Sequence, residues 1–139
     1  MRLAAMVKKL IIGPNNGVSP KMNTTPARLP ADMRQVGNGF FVAGQIAPQH
    51  VAALAEAGYT TIICNRPDNE GPGQPPSDTI KAEADRHGIA FHYVPVVHAG
   101  ITRENVDAMQ KALSEAEGLV LAYCRSGARS THLYAFSRP

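Results

Sequence analysis

Apolar positions fall into two regimes along the chain. From about Gln35 onward, short apolar runs alternate with stretches whose apolar residues recur at helical spacing; before it there is no sustained period. Phe40–Val42 is a short apolar run closed by a Gly-Gln turn. Pro48 stands where a helix can open, and 49–57 are good helix formers stopped by Gly58. TTIIC (60–64) is β-branched and continuous, the pattern of a strand covered on both faces. A Pro- and Gly-rich loop, 65–77, follows. Ser77 or Asp78 caps a helix that runs to about His87 and closes at Gly88. Residues 89–97 read as a strand with Pro95 near its end. Thr102 caps a helix over 103–115, whose Glu104 and Asp107 suit its positive end, and Gly118 stops it. LVLAY (119–123) is a second fully apolar strand, 124–129 a loop, and Ser130 begins a last, short helix that reads as truncated at Pro139.

Strands separated by helices predict a single α/β domain over 35–139, its central, mostly parallel sheet flanked by helices. Ligands in such sheets bind beyond the carboxyl ends of the strands, and Cys124 stands at one of those ends. Residues 1–34 (NN, SP, NTTP, LP) read as a flexible leader in which Met22, like Met33, is a plausible start.

Composition narrows this picture. The 139 residues suffice for one core, and 44% hydrophobic with 18% charged residues is ordinary for a globular chain. No run approaches the roughly 20 apolar residues of a membrane helix, and Lys8 and Lys9 break the only candidate signal segment; a cytoplasmic protein is expected. Net charge is +3, yet residues 1–37 hold six Lys/Arg against one Asp, and the rest eight basic against ten acidic residues. The excess is a basic tail, which can touch nucleic acid or acidic lipid. Its patternless composition favours an unstructured extension, so neither nucleic acid nor membrane is expected as a partner. Two cysteines, Cys64 and Cys124, do not make a disulfide scaffold. The five histidines lack paired ligand spacing, and no phosphate-binding or dinucleotide glycine motif occurs. Neither metal nor cofactor is expected.

The chemistry concentrates in Cys124-Arg-Ser-Gly-Ala-Arg129. A buried strand, a cysteine, a tight Gly-containing loop and a helix start make backbone N–H groups converge on one point, which favours negative charge there. That field lowers a thiol's pKa, and the thiolate is the reactive form. Cys124 is the expected nucleophile, and the backbone of Arg125, Ser126, Gly127 and Ala128 the expected anion cradle. Gly127 allows a conformation that a Cβ penalises. Arg129 offers a planar donor fork to an oxyanion, Arg125 adds positive field, and the Ser130 hydroxyl can reach the sulfur. Cys64, inside an apolar strand, reads as core.

FVAGQI (41–46), GYTTIICNRPDNE (58–70), PGQP (72–75), YVPV (93–96), GIT (100–102) and LAYCRSGARS (121–130) resemble the phosphatase-like domain of beta-lactamase-hydrolase-like proteins, relatives of the dual-specificity tyrosine phosphatases. The resemblance implies a tyrosine-phosphatase-like α/β fold with a thiolate nucleophile and no metal. Two departures stand out. Tyrosine phosphatases show His-Cys-x5-Arg, whereas here Tyr123 precedes the cysteine and the spacing is Cys-x4-Arg, which resembles the active loop of rhodanese sulfurtransferases. The phosphatase general-acid Asp is also missing from VHAGITRE (97–104); His98, or Asp68 in NRPDNE, is the candidate acid. Phosphate ester cleavage asks for a protonated leaving group. Persulfide transfer asks for less, because a thiolate leaves readily. The favoured expectation is therefore sulfur transfer through a Cys124 persulfide between small-molecule donor and acceptor, with fusion to or partnership with a sulfur-metabolism enzyme left open. The alternative is phosphate monoester hydrolysis through a phosphocysteine; a catalytically idle oxyanion-binding module is the third reading.

Overall fold

The computed structural model describes residues 28–138. Its five strands are β1 (Arg34–Gly37), β2 (Phe40–Ala43), β3 (Tyr59–Cys64), β4 (Ala90–Tyr93) and β5 (Leu119–Tyr123). The helices are α1 (His50–Glu56), α2 (Ser77–Arg86), α3 (Arg103–Glu115) and α4 (Ala128–Ser137). They form one α/β domain around a five-stranded sheet of order β1-β2-β5-β3-β4. β1 runs antiparallel to β2, and the other neighbours are parallel.

β3 (YTTIIC) is rich in β-branched residues and β5 (LVLAY) is a continuous apolar run because helices cover both faces of the sheet. One layer of core joins Val51 and Leu54 of α1 and Ile80 and Ala84 of α2 to Ile62, Leu121 and Tyr123. The other joins Met109 and Ala112 of α3 and Leu133 of α4 to Val42, Ile63, Val120 and Ala122. Neighbours alternate between layers along each strand, as the pleat requires. No helix among the described residues is long and apolar enough to cross a membrane.

Since four strands are parallel, their carboxyl ends deliver 44–49, 65–76, 94–102 and 124–127 to one edge of the sheet. Backbone pairing continues past the strands there: the N–H of Asn65 donates to the Tyr123 carbonyl (2.7 Å) and that of Val96 to the Asn65 carbonyl (2.9 Å). The strand expected over 89–97 ends at Tyr93, since Pro95 has no N–H with which to continue a ladder. The last helix opens at Ala128, two residues before the expected Ser130, because Gly127 takes the N-cap with φ 96°. Thr102 caps α3 as expected, in a capping box whose second member is Asn105.

β1 was not legible, and residues 30–34 extend the fold into the expected leader. Pro30 is buried, Met33 packs against the first core layer, and Asp32 Oδ2 accepts from the Gly44 N–H at 3.0 Å. The leader's residues 1–27 lie outside the described residues.

Leu121 stands in the middle strand, paired with Phe41 on one side and Ile62 on the other, and has no exposure. Leu121→Ala should cost about 2–5 kcal/mol, read as a lower urea midpoint at unchanged slope.

Candidate active site

Cys124 follows the last residue of β5, and its own N–H still pairs with the Ala43 carbonyl at 3.3 Å. The strand thus fixes the cysteine's backbone, and the chain then turns so tightly that the Gly127 N–H meets Sγ at 3.0 Å. Only the left-handed conformation of Gly127 brings that N–H round while the helix starts at the next residue. Cys124 has no solvent exposure. Burial, the largest single influence, pushes its pKa up. The backbone N–H groups of Ser130, Ser126 and Gly127, with the Ser130 hydroxyl, outweigh burial and bring the thiol below its ordinary value.

The cradle is narrower than expected. The Ala128 N–H turns away to the Ser126 hydroxyl at 3.3 Å. Arg125 is exposed, and its carbonyl accepts from the Gln45 N–H at 3.4 Å. The Ser130 hydroxyl is buried and donates to Asn65 Oδ1 at 2.8 Å; having one proton, it serves either Asn65 or the sulfur. Asn65 Nδ2 in turn donates to the Val94 carbonyl at 2.8 Å. This wholly buried asparagine ties the loops after β3 and β4 to the start of α4.

Arg129 is held by a residue that the pattern along the chain does not single out. Its Nη1 donates to Glu70 Oε2 (2.7 Å) and to the Val96 carbonyl (2.8 Å), and its Nη2 to Glu70 Oε1 (2.8 Å). The Nε–H and the second Nη2 hydrogen, adjacent on one edge of the guanidinium, have no oxygen or nitrogen acceptor among the described residues; the Cys124 sulfur is the one protein group among them that interacts with Arg129 besides Glu70 and Val96. That edge is a ready two-pronged donor for an oxyanion. Arg66 holds Glu70 from the other side, its Nε 2.9 Å from Oε1, and its Nη1 donates to Gln45 Oε1 at 3.1 Å. The Arg129 hydrogen bonds, reinforced by Arg66, draw the Glu70 carboxyl down to about 2 against its burial. Glu70 first, then the Cys124 sulfur more weakly, keep Arg129 firmly protonated.

The two candidate acids stand differently. Asp68 is committed to opening α2: Oδ1 accepts from the Ser77 N–H (2.7 Å) and Oδ2 from the Ser77 hydroxyl (2.9 Å). A carboxylate that caps a helix as acceptor is ill placed to donate a proton. His98 is exposed on a turn two residues past Val96. Gln74 closes the Pro/Gly-rich loop on itself, Oε1 accepting from the N–H of Glu70 and of Gly71 and Nε2 donating to the Pro67 carbonyl. That closure holds Glu70 in place.

Tyr123, which replaces the histidine expected before the cysteine, points into the first core layer beside Cys64. Its buried hydroxyl has no well-aligned partner, and burial pushes its pKa far up. Burial likewise raises the Cys64 thiol to about 11. A depression of about 280 Å³ lies between α3 and α4, lined by Ile101, Val106 and Phe136; it is the converging donors, not cavity size, that mark the site.

A strand, a cysteine cradled by amides, a clamped arginine and a helix, set in this sheet, define a phosphatase-like cysteine site on a phosphatase-like α/β fold. Residues 32–139 match the family described as the beta-lactamase hydrolase-like protein, phosphatase-like domain, and the chain belongs to that family. A beta-lactamase hydrolase-like protein of Xylella fastidiosa (strain Temecula1) is 42% identical over 96 residues, 69% of this chain. One from Agrobacterium fabrum is 38% identical over 93 residues, 67% of the chain. The matched part of the chain spans 22% of the length of either relative. Among solved structures, a candidate phosphatase from Neisseria meningitidis superposes with a TM-score of 0.64 at 34% identity, covering 70% of each chain. The catalytic core of a PP-IP phosphatase from S. cerevisiae, at 13% identity and a TM-score of 0.55 over 82% of this chain and 80% of its own, shares the fold.

Two measurements check these electrostatics. Iodoacetamide at mildly acidic pH should label Cys124 well before Cys64, as located by peptide mass; equal labelling would contradict the amide cradle. Glu70 has a folded-state pKa below its unfolded value, so its contribution is fully present above about pH 4.5 and is lost as pH falls towards about 2. Glu70→Gln should be less stable than wild type at pH 7, and the gap should close through that window in urea melts.

Proposed function

We propose that this domain cleaves phosphate monoesters by nucleophilic attack of the Cys124 thiolate. The observation that carries the reading is the pairing of a buried sulfur, on which amides converge, with an arginine clamped by Glu70 so that one donor edge stays open. The phosphatase-like family and fold support it, and they move it ahead of the sulfur transfer that loop length alone favours. In the first step Sγ attacks phosphorus and the bond to the ester oxygen breaks, while the Arg129 edge and the loop amides receive the equatorial oxygens. In the second, water attacks phosphorus, the S–P bond breaks, and the thiolate returns with release of phosphate.

The chain has no carboxylic acid between Val94 and Thr102, and Asp68 is engaged at α2. Protonation of the leaving oxygen then falls to His98 or to water. We therefore expect substrates with acidic leaving groups, such as aryl phosphates, to be preferred over alkyl phosphates.

The same absence and the four-residue spacing support a second reading, persulfide transfer. There the thiolate attacks the outer sulfur of a donor such as thiosulfate and the S–S bond breaks, releasing sulfite. A small acceptor thiolate later takes the outer sulfur and restores Cys124. Partnership or fusion with a sulfur-metabolism enzyme belongs to this reading.

Hydrolysis of p-nitrophenyl phosphate should be vanadate-sensitive and abolished in Cys124→Ser. Arg129→Lys, which keeps the charge but not the fork, should lose at least about tenfold in kcat/KM. Intact mass after thiosulfate treatment decides between the readings. A gain of one sulfur on Cys124, without hydrolysis by the untreated protein, would replace the first reading by the second.

A further inference from the structure

We propose that Arg34 is a positioning residue of the Cys124 loop, fixing from the edge strand β1 the Ser126–Gly127 peptide plane whose N–H is aimed at the sulfur. This inference goes beyond the proposed reaction and rests only on Cys124 being the reactive thiolate. Arg34 Nη2 donates to the Ser126 carbonyl at 3.2 Å, and the N–H on the other side of the same peptide unit donates to Cys124 Sγ at 3.0 Å. A trans peptide carries these two groups on opposite edges, so the guanidinium and the sulfur draw the plane along one line. The cation also polarises the peptide and strengthens the N–H as a donor.

Contact between Arg34 and the loop is close. A Cβ built on Gly127 would lie 2.6 Å from Arg34 Nη2, so the absent side chain makes room for the arginine as well as for the turn. Arg34 is braced in turn, its Nη1 donating to the Asp32 carbonyl at 3.1 Å, while the Asp32 carboxylate accepts from Gly44. A Cβ on Gly44 would come within 2.8 Å of the Arg125 carbonyl. The 32–34 segment thus braces the loop at Ser126, whereas Glu70 clamps it at Arg129. Of the charged and titratable groups on the elements packed here, Arg129, held by Glu70, and the Cys64 thiol interact with the sulfur, Arg34 and Asp32 come from this segment, and Arg125 is the exposed cation of the loop.

The test is the pH profile of iodoacetamide alkylation at Cys124, located by peptide mass, in the full chain and in Arg34→Ala and Arg34→Lys, with thermal midpoints measured alongside. Arg34→Ala should raise the alkylation midpoint by about half a pH unit, roughly threefold less thiolate at a given pH below it, with a near-wild-type melting temperature. Millimolar guanidinium should restore part of the loss. Lysine, with one donor head where the fork spans two carbonyls, should shift the profile the same way by less; it carries the test if the alanine variant does not fold. A Lys profile superimposable on wild type, or a folded Arg34→Ala with an unchanged midpoint, overturns the role. An ordinary thiol midpoint in the wild type overturns the thiolate assignment and this role together, whereas a depressed midpoint that Arg34→Ala leaves in place overturns this role alone.

Discussion

A sulfur with no solvent exposure carries negative charge only if protein dipoles replace the water it has lost. At Cys124 those dipoles are backbone N–H groups, and everything around the loop serves to point them inward. The parallel strands bring four connections to one edge. Gly127 turns the chain through a left-handed residue, and the start of α4 adds its free amides to the same point. Asn65, bonded to Val94 and Ser130, fastens the connections after β3 and β4 to the first turn of α4.

Arg129 solves a second problem. A long, flexible cation beside a thiolate would tend to fold onto it and neutralise it. Glu70 takes the end of the fork and the Val96 carbonyl one more hydrogen, so the charge is fixed while one edge remains for a ligand. Glu70 does this at the cost of being a poor proton donor: with its carboxyl held at about 2 it stays ionised across the neutral range. The acid–base work of any reaction here falls elsewhere, which links the strength of the clamp to the preference for good leaving groups that we propose.

What was legible in the chain was what is local. Continuous apolar strands, glycine stops and the Cys-x4-Arg loop each occupy a few adjacent residues, and they led to the parallel sheet, the helices and the position of Cys124. Pairings across long separations were not legible. Glu70 lies 59 residues before Arg129 in a loop whose composition says only that it turns, and nothing local distinguishes it from Asp68, which caps α2 instead. β1 (RQVG) is too short and polar to show strand alternation. Its Arg34 acquires meaning only once Ser126, 92 residues away, is brought beside it. One local signal was available: a Thr-x-x-Asn pattern at 102–105 matches the capping arrangement found.

The length of the loop remains the deepest constraint on the chemistry. With four residues between Cys124 and Arg129, and with the Ala128 amide spent on Ser126, the amides of Ser126, Gly127 and Ser130 address the sulfur itself. A phosphoryl group bound to that sulfur presents three oxygens, each of which needs a donor, so its binding draws heavily on the open edge of Arg129. A single added sulfur needs only the amides. Phosphate chemistry at this site is thus tied to the Glu70–Arg129 clamp far more tightly than sulfur chemistry would be. The energy that would separate the two, on the order of 3 kcal/mol for one oxyanion donor, resides in the orientation of a single guanidinium.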